Sequence, residues 1–301
     1  MTPLRRILVA TDFSSDAGCA LARAQLIAAE HRAELALVHV INASALDAFK
    51  AVFRDTPTIE RELFMATQRA LDELAATLAQ KDVAVTTSLR TGAVLDELLA
   101  ATRAADLMVL GAHGVNTLRD RIIGTTAERL LGRCRIPIVV ARHEPNIAYR
   151  RLLVPVDLSA YSAPALAAAV RIAPGGEIHV LHVYDVPFEG KLWLSGVAEA
   201  VIERHRADVR AQALHQVYAL IDAHLPGKPR TVVTVERGEA ARTILDAASQ
   251  FGADLVVVGK QGLSAIGDLF LGSVTRHVLA DAECDVLVVP PPETASVSGA
   301  T

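Results

Sequence analysis

A chain of 301 residues, 51% apolar and 21% charged, is long enough to bury the cores of two ordinary domains. Its net charge of −4 and its 4% of aromatic residues speak against a basic nucleic-acid or anionic-membrane footprint and against a surface built to stack bases. They leave room for a small anionic ligand held by local backbone groups.

The opening stretch MTPLRRILVATDFSS has an apolar run of only four residues, shorter than the apolar region of a signal peptide. No later stretch approaches the length of a membrane span. The run ILVA (7–10) predicts a first strand, closed by Thr11-Asp12. AGCALARAQLIAAE (17–30) carries the spacing of a helix, and ALVHV (36–40) reads as a second strand. Residues 42–60 read as irregular and hold Phe49 and Phe53, which cover the ligand cleft, form a partner surface or pack onto the following long helix. On that helix Glu62 and Glu73 read as solvated surface. VAVTTSL (83–89), VLDELLAATRAA (94–105) and LMVLG (107–111) predict strand, helix and strand. The segment GAHGVNTLRDRIIGT (111–125), a helix TAERLLGR and a closing strand IPIVVA (136–141) complete the set.

The pattern then repeats. RRILVATDFS (5–14) matches RRLLVPVDLS (150–159), ELALVHVIN (34–42) matches EIHVLHVYD (177–185), and ADLMVLGAHG (105–114) matches ADLVVVGKQG (253–262). The offset stays between 143 and 150, so a domain of about 145 residues has been duplicated. In the second copy the strands fall near 151–156, 178–183, 231–235, 254–258 and 285–289. Its irregular stretch, 185–197, holds Phe188 and Trp193, and Glu203 reads as surface. Five short, nearly continuous apolar strands alternating with four helices predict an α/β fold, a doubly wound parallel sheet, in each copy. The boundaries are 1–145 and 149–292, with a flexible tail at 293–301. The junction around Pro145 and Asn146 is short, so the two copies are expected to pack as an internal pseudo-dimer. Cys19, Cys134 and Cys284 form no paired motif and read as small buried hydrophobes of a reducing cytosol.

Both copies carry G-x2-G-x9-G-[ST]: Gly111, Gly114, Gly124 and Thr125, then Gly259, Gly262, Gly272 and Ser273. Each begins at the carboxyl end of the fourth strand and ends where a helix starts, with Thr125 and Ser273 suited to the N-cap. Ligands of open parallel sheets bind beyond those strand ends. A helix N-terminus with a glycine beside it offers unpaired N–H groups to phosphate oxygens. The same glycines can also be plain turn residues. Asp12 and Asp157 follow the first strands and suit either ribose hydroxyls and Mg²⁺ or the capping of the next helix.

These features, with the VHV or LHV second strand and the P-I-V-V or V-L-V-V last strand, resemble the universal stress protein family, in its tandem form and its ATP-binding branch. The resemblance implies strand order 3-2-1-4-5, a cytoplasmic location and dimeric pairing through the last strand. It places Asp12 and Val40 at the adenosine of copy one, with Gly111, His113, Gly114, Gly124, Thr125 and Thr126 at the ribose and phosphates. In copy two the corresponding residues are Asp157, Val183, Gly259, Gln261, Gly262, Gly272, Ser273 and Val274. Copy one also has Arg119 and Arg121 in its loop, where copy two has Gly267 and Leu269, while Asp120 and Asp268 correspond.

No P-loop, no dinucleotide G-x-G-x-x-G after a first strand, no G-x-S-x-G and no H-E-x-x-H occurs. His39 and His182 recur at one strand position, which suits packing against a helix or the sheet edge. His179 and His182 lie on opposite strand faces. The resemblance, together with the glycine loops, implies a module that binds ATP or ADP, with Mg²⁺, and acts as a nucleotide-dependent stress regulator with an unidentified protein partner. Slow Mg²⁺-dependent ATP hydrolysis, using Asp12 or Asp157, and a nucleotide-free scaffold are the alternatives.

Overall fold

The computed structural model describes residues 2–52, 56–79, 83–113, 123–186, 189–195, 197–225, 230–262 and 270–291. It falls into two compact units, Met1–Ala148 and Tyr149–Thr301.

Unit one runs β1 (Arg6–Ala10), α1 (Ser15–His31), β2 (Glu34–Asn42), α2 (Ala43–Val52), α3 (Thr56–Ala79), β3 (Val85–Gly92), α4 (Val94–Thr102), β4 (Leu107–Gly111), α5 (Thr125–Arg133), β5 (Ile138–Ala141). Parallel pairing of β1 with both β2 and β4, of β2 with β3 and of β4 with β5 gives the order 3-2-1-4-5. Unit two runs β6 (Arg151–Pro155), α6 (Ser162–Ile172), β7 (Glu177–Tyr184), α7 (Glu189–Leu194), α8 (Glu199–His224), β8 (Thr231–Arg237), α9 (Ala240–Phe251), β9 (Leu255–Gly259), α10 (Ser273–Asp281), β10 (Asp285–Val289). Its pairings, β6 with β7 and β9, β7 with β8 and β9 with β10, repeat that order.

The central strands are buried on both faces. Ile7, Val9, Met108, Val109 and Val139 have no exposed surface, and neither do Leu152, Leu153, Val256 and Leu287. The outer strands β3 and β8 are different. Their residues are mostly half-buried or exposed, so VAVTTSL is an edge strand with a wet face rather than a core strand. The crossover from second to third strand also departs from expectation. Its sequence suggests irregular chain and one helix. The structure has two helices in each unit, α2 then α3 and α7 then α8. Within 42–60 the described residues after Asn42 form α2 and the start of α3, and Leu46 of α2 is buried.

At the amino ends of the strands a single carboxylate closes each sheet. Asp106 accepts the backbone N–H groups of Arg5 and Arg6, at 2.9 and 3.1 Å, and Asp254 does the same for Arg150 and Arg151. The carboxyl ends are left for the loops.

Candidate functional site

At the carboxyl ends of β1 and β4, unit one opens a cavity of about 620 Å³. Asp12, Val40, Gly111, His113, Gly124, Thr125 and Thr126 all line it. Unit two has a cavity of about 250 Å³ at the same place, lined by Asp157, Val183, Gly259, Gln261, Gly262, Gly272, Ser273 and Val274. The structure thus brings together every described residue that the motif singled out. Gly114, Arg119, Asp120, Arg121, Gly267, Asp268 and Leu269 lie outside the described residues, as do Phe53, Phe188 and the tail 293–301.

The turn after the first strand sets the carboxylates. Phe13 and Leu158, each directly following the aspartate, take left-handed backbone with φ of 63° and 62°. Neither is a residue that favours that region, so each turn holds on the order of 1–2 kcal/mol of strain. Two contacts support it. His39 donates from Nδ1 to the carbonyl of Thr11 at 2.7 Å, and His182 donates to that of Val156 at 2.8 Å. The Phe13 ring also rests on His39, with centroids 4.8 Å apart. The recurring histidines are therefore braces of the turn that carries the aspartate, a role sequence reasoning missed. Within the turn Asp12 Oδ1 accepts the N–H of Ser14, and Asp157 Oδ1 accepts that of Ser159. Neither aspartate caps a helix. Ser14 caps α1, taking the N–H of Ala17.

The phosphate end of the motif is built by the glycines, though not all for one reason. Gly124 and Gly272 are themselves the N-caps of α5 and α10, and have no side chain to cap them. Thr125 and Ser273, expected as caps, are the first helical residues instead. Gly124 N–H donates to the Ala112 carbonyl and Gly272 N–H to that of Lys260. These two bonds fix the helix starts against the strand ends. The N–H groups of the first turn then point where a helix offers its positive end. Among the described residues a Cβ on Gly272 would meet nothing closer than 3.6 Å, so they do not themselves demand glycine there. Space kept clear in this way fits a close-approaching ligand atom. Gly111 is different. A Cβ there would stand 2.6 Å from the backbone of Asp16, so α1 packing alone requires the glycine. At Gly262 a Cβ would stand 2.5 Å from Asp157 Oδ2.

In unit one, His113 turns toward α1. Its backbone N–H and Nδ1 both meet Asp16 Oδ2, at 3.0 and 2.9 Å. The remaining singled-out histidine, His179, lies away from the cleft. Its Nε2 meets Thr234 Oγ1 at 2.7 Å and its ring stands edge-on to Phe251. Burial holds its pKa below the ordinary histidine value, against the raising pull of Glu236 and Glu177.

The duplicated cleft has counterparts among known proteins. A model of the universal stress protein family matches residues 3–142 and again 148–290. The chain belongs to the universal stress protein family. A universal stress protein of Mycolicibacterium smegmatis is 29% identical over 300 residues, covering 95% of this chain and 97% of its own. One from Thermus aquaticus is 36% identical over 145 residues, 47% of this chain and 98% of its own, a single-copy relative. The crystal structure of a universal stress protein from Archaeoglobus fulgidus superposes with a TM-score of 0.71 at 19% identity, covering 95% and 98% of the two chains. That last likeness is one of fold. This universal stress protein is thus a tandem member, and among its described residues no helix is long and apolar enough to cross a membrane.

Proposed function

We propose that this universal stress protein binds an adenine nucleotide, ATP or ADP, over the carboxyl ends of the strands and acts through nucleotide occupancy. One observation carries the reading. The glycine-capped N-terminus of α5 opens into a cavity of about 620 Å³ that Asp12 and Val40 also line. Cavities that take cofactors run from about 300 to 1,000 Å³. The triphosphate would lie on the first turn of α5, where backbone N–H groups and the helix dipole favour negative charge. The ribose hydroxyls would meet Asp12, and the base would lie along Val40. Among the described residues no group of three or more His, Cys, Asp or Glu could hold a metal ion. Magnesium would arrive with the phosphates, with Asp12 as a protein carboxylate beside it. A cytoplasmic regulator that responds to nucleotide supply fits this chemistry, because a ligand shifts a protein's state only by preferring one state over another.

The Asp16–His113 pair favours a second reading, slow hydrolysis. An imidazole whose Nδ1–H is held by a carboxylate keeps Nε2 as an acceptor, the arrangement of a general base. Phosphate release separates the two readings: His113→Asn should abolish it and leave nucleotide uptake intact.

The test of binding needs no added ligand. The purified chain is denatured and the released small molecules are resolved by ion-pair chromatography with mass detection. ATP or ADP near stoichiometry, or uptake by the empty protein at about millimolar ATP with Mg²⁺, is the expected result. A protein that arrives empty and stays empty under those conditions overturns the reading and leaves the scaffold alternative.

A further inference from the structure

We infer that the two copies are unequal by construction, so that copy one alone takes the nucleotide and copy two is held shut by a clasp between Tyr161 and Gln261. The inference rests on the nucleotide reading above and deepens it.

The two clefts share a fold and most of their lining positions, but many residue types at those positions differ, and two of the changed side chains touch each other. At 145 residues apart, Asp12, Asp16 and Ala17 correspond to Asp157, Tyr161 and Ser162. At 148 apart, Gly111, His113 and Gly124 correspond to Gly259, Gln261 and Gly272. The ionisable pair Asp16–His113 of copy one is thus replaced in copy two by Tyr161–Gln261. The contact between the two positions survives the replacement. The Tyr161 hydroxyl donates to Gln261 Oε1 at 3.0 Å. Gln261 Nε2 then donates to the Phe270 carbonyl at 3.0 Å. Copy two therefore gains a chain of neutral hydrogen bonds that ties the start of α6, the end of β9 and the approach to α10 together. Gln261 is 5% exposed, so these bonds are shielded from competing water.

The carboxylate is drawn into the same closure. Ser162 stands where copy one has Ala17, and its hydroxyl donates to Asp157 Oδ1 at 2.9 Å, beside the Ser159 N–H at 3.0 Å. Gly262, next to the clasp, lies so close to Asp157 Oδ2 that a methyl group would not fit between them. Asp157 is thus half-buried, held by Ser162 as well as by its own turn, with Gly262 against its second oxygen. In copy one the corresponding Asp12 is exposed. The volumes follow: about 250 Å³ in copy two lies below the range of cofactor sites, and about 620 Å³ in copy one lies within it.

The experiment counts sites on the full-length chain. Nucleotide is stripped from the protein, and radiolabelled ATP with Mg²⁺ is titrated by equilibrium dialysis to about millimolar concentration. The wild type should bind one ATP per chain, and Gly124→Val should bind none while keeping its circular dichroism spectrum. The double variant Tyr161→Asp, Gln261→His gives copy two the pair of copy one and should raise the count to two. Two sites in the wild type, or one site surviving in Gly124→Val, would overturn the inference while leaving nucleotide binding itself standing. No site in the wild type would instead overturn the nucleotide reading beneath it. A folded double variant that still binds one ATP would refute Tyr161–Gln261 as the cause of closure. If that variant unfolds, the wild-type and Gly124→Val counts decide on their own which copy is loaded.

Discussion

Replacing Gly111 by alanine separates what the fold requires from what a ligand requires. A Cβ at Gly111 would stand 2.6 Å from both the carbonyl carbon and oxygen of Asp16 and 2.9 Å from its Cβ. Carbon atoms rest at about 3.5–4.0 Å, so the first turn of α1 would have to retreat by roughly 1 Å. Those atoms are helix backbone, which cannot swing aside as a side-chain tip can. Overpacking of this kind costs about 1–3 kcal/mol. The control is Gly18→Ala in the same helix, where a Cβ meets nothing within 4 Å and unit one should gain about 0.5–1 kcal/mol. Amide hydrogen exchange with mass detection, followed on peptides of β1 and β4, reads unit one without interference from unit two. Gly111→Ala should speed exchange there by about 5- to 150-fold, since each 1.4 kcal/mol is tenfold. Gly18→Ala should slow it. Unchanged exchange in Gly111→Ala would show that α1 is not seated on β4 as described, and would return Gly111 to the ligand.

Three further outcomes follow from the same geometry. Tyr149 donates its hydroxyl to the buried Asp285 at 2.8 Å, so Tyr149→Phe should destabilise unit two by about 1–3 kcal/mol in urea unfolding; an unchanged midpoint would remove that bond from the account. His39→Phe keeps a ring against Phe13 but takes the donor from the Thr11 carbonyl, and unit one should lose about 0.5–1.5 kcal/mol; a neutral result would mean the turn does not need its brace. Burial lowers the pKa of folded His179 below its unfolded value of about 6.5, so between the two values the unfolded chain binds the extra proton. The stability it contributes is whole above the unfolded value and declines as pH falls through it. His179→Gln should flatten the slope of stability as pH falls below about 6.5, and equal slopes in both proteins would sink the assignment.

Most of the strands were legible because a strand buried on both faces has to be an unbroken apolar run, and each of ILVA, LMVLG and IPIVVA lies between residues that cannot continue it. Edge strands obey a weaker rule. VAVTTSL reads as core, yet only Val83 is buried, two of its seven residues are exposed and four are half-buried, because an edge strand buries only part of its surface. The helix α2 escaped for a related reason. Ten residues give fewer than three turns, too few for the period of NASALDAFKAV to stand out from a loop.

The site was legible as a set of positions but not as a set of causes. Gly111, Gly259 and Gly272 share one spacing, and sequence treats them as one signal. The structure splits them: Asp16 backbone fills the space at Gly111, a Cβ on Gly259 would stand 3.1 Å from Tyr161 Cβ and the Gln261 carbonyl, and among the described residues nothing crowds Gly272. A motif records that a side chain is excluded without recording what excludes it. The left-handed turns at Phe13 and Leu158 left no trace at all, since neither residue type signals that conformation. What the sequence did contain, and what reading each copy alone hides, is the exchange of Asp16 and His113 for Tyr161 and Gln261. Two positions far apart in the chain change together between the copies because their side chains touch. Duplication therefore supplies its own comparison: residues that stay the same in both halves mark the frame, and a contacting pair that differs between them marks where a difference in task is to be tested.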